Sequence, residues 1–199
     1  MPLPITHALA PVAAAIIIPD RRVQWRLVIA AALASALPDV DSFSHWIWGM
    51  PSPSAPLPPW WHRGAAHSLF VAVAVGCLAA AMHKHLRVRA TTAGLVVGAA
   101  MASHGILDML SNGGVPVAYL WPLSSARLFA DWRPIHSSPI EPAHFIAQAL
   151  TRLGEETWQL ILPMFAIALL IRAMLMMKRN WAREGASGGA GSAAADGEL

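Results

Sequence analysis

His7, Asp39, Asp41, His62, Arg63, His67, His104 and Asp108 stand out in a chain otherwise rich in aliphatic side chains. Imidazole nitrogen and carboxylate oxygen are the donors that divalent zinc, iron and manganese accept. Their spacing sorts them. His104 and Asp108, in SHGILDML, are four apart, so on a helix they share a face and either hold one ion or orient one another. Asp39 and Asp41, in LPDVD, are two apart and would diverge on a regular strand or helix; in a turn after Pro38 they converge or serve two ions. His62 and His67, in HRGAAHS, are five apart, which is poor for one helical face. That spacing suits His62 in a loop and His67 at the start of a helix. Arg63 cannot ligate a metal and keeps its charge, so its partner is an anion, either a carboxylate ligand or a substrate phosphate.

The chemistry such a set supports is metal-assisted hydrolysis. Zinc held by three or four of these residues, with one position open, brings the pKa of its water toward ~7. Arg63, or a second ion, is placed to neutralise charge growing on a phosphoryl oxygen. A carboxylate not used as a ligand, Asp41 or Glu141, is the candidate general base. Plainer roles compete for each residue. Asp39 and Asp41 are also good caps for a following helix, Arg63 a snorkelling anchor, and His7 a surface residue. His104 and Asp108 resist that reading, because ionisable groups within a spanning helix are costly and usually functional. His83 and His85 fall in a basic loop with no catalytic role expected, and His136 and His144 read as solvated loop residues.

These residues must be positioned by helices in lipid. Of 199 residues 56% are hydrophobic and 13% charged, against about 45–50% and about 25% in a soluble domain. Five apolar segments run over about 5–18, 25–37, 68–82, 91–110 and 158–177, and only the last two reach the ~20 residues that cross a bilayer. The expected fold is an all-α integral membrane bundle of four to five hydrophobic helices, with residues 1–180 as one domain and 184–199 a disordered tail. Arg21, Arg22 and Arg26, then Lys84, Arg87 and Arg89, then Lys178, Arg179 and Arg183 form three basic clusters between and after the segments. The positive-inside rule sets them toward the cytoplasm, so every candidate ligand falls on the opposite side. Trp46, Trp48, Trp60, Trp61, Trp121 and Trp132 are expected at that outer headgroup layer. PSPSAPLPP, 51–59, reads as a stiff linker, and the single Cys77 as a buried inert thiol. The small net charge of +3 and the absence of a basic stripe point to lipid headgroups as partners and away from nucleic acid. The first apolar segment lacks the basic leader and cleavage site of a signal peptide.

PDVD, HRGAAHS, SHGILDML and GGVPVAYLWPL, in that order, resemble the YdjM-like family of predicted inner-membrane metal-dependent hydrolases over roughly residues 3–145. The resemblance implies a bacterial inner-membrane, multi-pass helical protein with divalent metal, zinc foremost, as one or two ions. It places His7, Asp39, Asp41, His62, Arg63, His67, His104 and Asp108 at the family's polar motifs. The order His, Asp, His, His-x-x-x-Asp is more distantly similar to the zinc-dependent phospholipase C and single-strand nuclease superfamily. This chain departs from it in lacking a tryptophan ligand at the N-terminus and a second His-x-x-x-Asp/Glu. The expected substrate is a phosphoester, a small molecule or lipid-like compound. Two rival readings are a non-catalytic membrane protein tied by a structural metal or polar network, and a metal or proton transporter. The transporter ranks last, because its polar groups would line the full membrane depth, whereas these gather at one side.

Overall fold

Proline, glycine and basic clusters close each apolar run, and helices fill what lies between. The computed structural model describes residues 2–17, 24–44, 47, 56–136 and 145–195, without the side chains of Phe43, residues 145–146 and those from 184 onward. Helix α1 is Pro4–Ile17 and α2 is Trp25–Ala36. A 3-10 helix, Leu37–Phe43, continues α2, with Pro38 in its first turn. A second 3-10 turn, Ala65–His67, leads into α3, Leu69–Ala81, whose first turn is capped by Ser68 Oγ accepting from the Val71 N–H at 3.2 Å. The one-turn α4, His83–Leu86, ends at left-handed Arg87 and is followed by α5, Ala90–Met109. Helix α6, Phe145–Glu156, passes through a π-helical turn, Thr157–Ile161, into α7, Leu162–Ala195. Between α5 and α6 the chain makes two isolated β-bridges, Ser111 with Ile135 and Val117 with Leu128.

Helices α2, α3 and α5 share an alanine-rich core of Ala31, Ala34, Ala72, Ala79, Ala93, Val97, Ala100 and Met101. The tightest approach is α3 on α5. A Cβ on Gly76 would lie 2.8 Å from the Gly94 carbonyl oxygen, so these backbones meet where only glycine fits. Helix α1 packs on α2, and α7 packs on α1. The outer faces carry Leu33, Val73, Leu78, Leu95, Leu169 and Leu170 exposed, a surface suited to lipid. Helix α5 and the helical stretch Ala147–Arg183 are long and apolar enough to cross a membrane, while α1 and α3 are shorter apolar helices. Together they form the expected all-α membrane bundle.

Direction alternates along the bundle. Arg26 at the start of α2 donates to the His85 carbonyl at 3.2 Å, joining members of the first basic cluster and the α3–α5 link at one end. The start of α1, the end of α2, the start of α3 and the end of α5 meet at the other. Two expectations are corrected. Cys77 is exposed on the outer face of α3, because its helical position points away from the Gly76 contact. Trp61 is only 3% exposed and turned into the protein, whereas Trp60 and Trp132 do lie on the outside. Trp46, Trp48, Arg21, Arg22, Glu141, His144 and residues 51–55 lie outside the described residues.

Candidate metal centre

Proline controls how α1 and α2 deliver the first ligands. Pro11 has no N–H for the His7 carbonyl four residues back, and Ser35 Oγ donates to that carbonyl instead at 2.9 Å. In the 3-10 turn after α2 the carbonyl of Ser35 would look to residue 38, which is proline. It accepts from His104 Nδ1 at 2.6 Å. Ser35 thus joins α1 to α5. A carbonyl only accepts, so Nδ1 of His104 carries the proton and Nε2 is left with its lone pair facing Asp39 and Asp108.

The turn before α3 supplies His67. Its approach to α5 is made possible by Gly105, where a Cβ would lie 2.7 Å from the His67 carbonyl oxygen. His67 Nδ1 is 3.1 Å from Asp41 Oδ2, and Nε2 is 3.3 Å from Asp108 Oδ2. Asp41 is itself held by His62 Nδ1 at 2.6 Å and by the Arg63 N–H at 3.1 Å. Burial alone would raise the Asp41 carboxyl, but the hydrogen bonds to His62 and His67 outweigh it and hold Asp41 below the usual carboxylate range. Burial likewise opposes charge on His67, and the bonds to Asp108 and Asp41 overcome it, lifting His67 to about 9.

Arg63 takes a left-handed conformation, φ 59°, that turns its side chain into the bundle. It is fully buried. Nη1 donates to the Gly113 and Val115 carbonyls at 2.9 and 2.8 Å, Nη2 to Ser111 Oγ at 2.9 Å, and Nε pairs with Asp108 Oδ2 at 3.0 Å. Of the two anions expected for Arg63, the structure supplies the carboxylate. Snorkelling is excluded by its burial. Arg127 closes the outside of this turn, donating to the carbonyls of Pro58, His62, Arg63 and Pro116.

All eight residues therefore converge, but in two kinds of contact. Asp39, His67, His104 and Asp108 offer one donor atom each within 4.8 Å of one another, and all four are buried. Their separations are 3.3 Å for His67 to Asp108, 3.5 Å for His104 to Asp39, 3.7 Å for His104 to Asp108 and 4.0 Å for His67 to Asp39. These exceed hydrogen-bond lengths of about 2.7–3.2 Å. They suit ligands on opposite flanks of one ion, since donors at about 2.0–2.2 Å from a metal lie roughly 3–4 Å apart. Both oxygens of Asp39 and Nε2 of His104 have no hydrogen bond, while Asp108 Oδ2 is engaged by Arg63 Nε at 3.0 Å and lies 3.3 Å from His67 Nε2. His7 completes the wall: its ring stacks on His104 at 3.7 Å, and Nε2 lies 3.8 Å from Asp108 Oδ1. The trio Asp41, His62 and His67 is also close enough to share an ion, but contacts of 2.6 and 3.1 Å are hydrogen-bonded already. The donor set fits a divalent metal at the first group.

His136 is exposed, its N–H donating to Gln159 Oε1 at 3.3 Å, and takes no part. Residues that the motifs did not reveal include Ser35, Gly105, Ser111 and Arg127. Pro11 and Pro38, each positioned to leave a carbonyl without its helical donor, were the available signal for Ser35.

Comparison with known proteins agrees with this architecture. The chain matches the family model described as YdjM inner membrane protein over residues 1–182. It is 31% identical over 140 residues to the inner membrane protein YbcI of Escherichia coli (strain K12), covering 70% of this chain and 78% of that protein. No solved structure matches it significantly. A polar cluster built from the PDVD, HRGAAHS and SHGILDML motifs, set at one end of an apolar helical bundle, accompanies the match along nearly the whole chain: the protein belongs to the YdjM inner membrane protein family.

Proposed function

We propose that this chain is a multi-pass inner-membrane hydrolase that uses one divalent metal ion held by Asp39, His67, His104 and Asp108, with His7 beside them. The observation that carries the reading is four buried donor groups within 4.8 Å of one another, among them both oxygens of Asp39 and Nε2 of His104, which have no hydrogen bond. A buried polar atom without a partner costs about 1–3 kcal/mol. Several together rival the ~5–15 kcal/mol by which a domain is stable. A cation offsets that cost, and the two carboxylates supply its counter-charge.

The surrounding residues are arranged as supports. Asp41 stands behind His67 as a carboxylate that fixes its Nδ1–H, and the Ser35 carbonyl does the same for His104. Arg63 fixes Asp108. When bound, a metal with an open position would supply a water acidified toward neutral pH. Two histidines and two aspartates fill a tetrahedral zinc but leave positions free on a five- or six-coordinate ion. Placing the basic clusters in the cytoplasm sets this end of the bundle at the outer headgroup layer, where a lipid phosphoester or other amphiphile arrives by diffusion in the plane. Asp41, with a side chain 10% exposed against 3% for Asp39 and 0% for Asp108, is the most accessible carboxylate of the cluster and the candidate base; Glu141 is the other.

One observation favours a second reading, a structural ion. His7, His104 and Asp108 are completely enclosed. The test is elemental analysis of protein purified in detergent, with and without His104→Ala, followed by a screen of generic phosphoester and carboxylester substrates at several metals. Metal in the wild type, loss of it in the variant and metal-dependent turnover support the hydrolase. Metal-dependent thermal stability without turnover on any substrate transfers support to the structural ion. A metal-free wild type that a chelator does not affect sinks both.

A further inference from the structure

Helix α1 carries His7 but lies outside the core shared by α2, α3 and α5. Besides its packing on α2 and the Ser35 bond to the His7 carbonyl, it is held at both ends by ionisable side chains from the C-terminal helical stretch. At its first turn, Glu156 accepts from the Leu3 N–H at 3.0 and 2.9 Å through its two oxygens, and from Thr6 Oγ1 at 2.5 Å. Glu156 is 1% exposed and sits where α6 passes into the π-helical turn. At the last turn of α1, Arg172 Nη1 donates to the Ile16 carbonyl at 2.9 Å. Arg172 interrupts an apolar run, PMFAIALLIRAMLMM, where a charge is expensive without a partner.

The two signs are matched to the helix. Unpaired N–H groups give the start of a helix a partial positive charge, and unpaired carbonyls give its end a negative one. Carboxylate at the start and guanidinium at the end satisfy both with hydrogen bonds as well as charge. The order Thr6 with Glu156, then Ile16 with Arg172, also sets α1 parallel to α7. A slip of α1 along its axis would break both contacts and move His7, the residue after Thr6, away from His104 and Asp108.

We infer that Glu156 and Arg172 form a charge clamp on the two ends of α1 and are positioning residues for His7 at the metal centre. The clamp stands on its own contacts; its bearing on metal rests on the function proposed above. The experiment uses the full chain in lipid nanodiscs and has two arms. In the first, amide hydrogen exchange is followed without metal in wild type, Glu156→Gln, Glu156→Ala, Arg172→Lys and Arg172→Leu. Faster exchange over 3–17 in the Ala and Leu variants, with α3 and α5 unchanged and with recovery in the Gln and Lys variants, is expected. Unaltered exchange over 3–17, or an equal rise throughout, overturns the clamp. In the second arm Co²⁺ is titrated into His7→Ala, Glu156→Ala and the double variant, reading affinity and visible absorption. Each single change is expected to weaken Co²⁺ by about tenfold or more, as loss of an outer support does. The double variant should be no weaker than His7→Ala. Additive losses overturn the route through His7. A wild type that takes up no Co²⁺ defeats the metal reading, and the exchange arm then decides the clamp alone.

Discussion

Arg63 and Asp39 lie in one polar cluster and are both buried, yet their bonding differs. Arg63 spends its guanidinium on two backbone carbonyls, the Ser111 hydroxyl and Asp108. Asp39 has two carboxylate oxygens buried with no hydrogen bond at all. A protein that can pair an arginine so fully does not leave a carboxylate bare for want of donors nearby. The contrast separates polar groups that build the site from those whose lone pairs are left free to ligate. Asp41 belongs with Arg63, and His67, His104 and Asp108 belong in part with each.

The largest way to break the contrast is at the residue that joins its halves. Asp108→Ala leaves Arg63 buried without its counter-charge, and losing one partner of such a pair costs about 3–5 kcal/mol. The variant should accumulate poorly in membranes and unfold at lower temperature with or without metal; unchanged thermal unfolding would refute the pairing. His104→Ala is expected to differ in kind. It should lose bound metal by elemental analysis, with a smaller drop in the metal-free unfolding temperature than Asp108→Ala gives, since it removes a buried ring and one hydrogen bond but no ion-pair counter-charge.

A smaller effect comes from the groups behind the ligands. Asp41→Asn should weaken metal binding by about 10–100-fold, the usual consequence of losing a carboxylate behind a ligating histidine. Measured by competition with a chromophoric chelator, affinity equal to wild type would remove Asp41 from that role. At the proposed site a proton and a metal would compete for His67, whose pKa is raised to about 9. A raised value means that the protonated state contributes stability, fully present below ~6.5, the ordinary value, and lost as pH rises through about 9. Metal-free protein should therefore unfold more easily as pH increases across that window. Metal affinity should run the other way and increase with pH, because the ligand must give up its proton. Parallel trends in the two measurements would contradict this assignment. The smallest effect is expected at Cys77, exposed on α3. Cys77→Ala should change stability by less than about 0.5 kcal/mol and leave metal content alone.

The sequence by itself determined the helices and the chemistry of the donors. Apolar runs bounded by basic clusters and prolines fix where helices form, because backbone polar groups in lipid must pair within the chain. The four-residue step from His104 to Asp108 fixed a shared face, and alternating helix directions brought all the polar motifs to one end. What sequence spacing left open was which residues touch the same atom. Asp39 and Asp41 read alike, yet a 3-10 turn sends one toward His104 and the other behind His67. Arg63 read equally as an anchor or an anion partner, and a left-handed backbone with a carbonyl-lined loop 50 residues away decided it. Glu156 and Arg172 carried no local signal, since their partners are 150 or more residues distant. Periodicity reports on a helix and its own faces; contacts of a few ångströms between helices depend on register and crossing, which only the packed bundle sets.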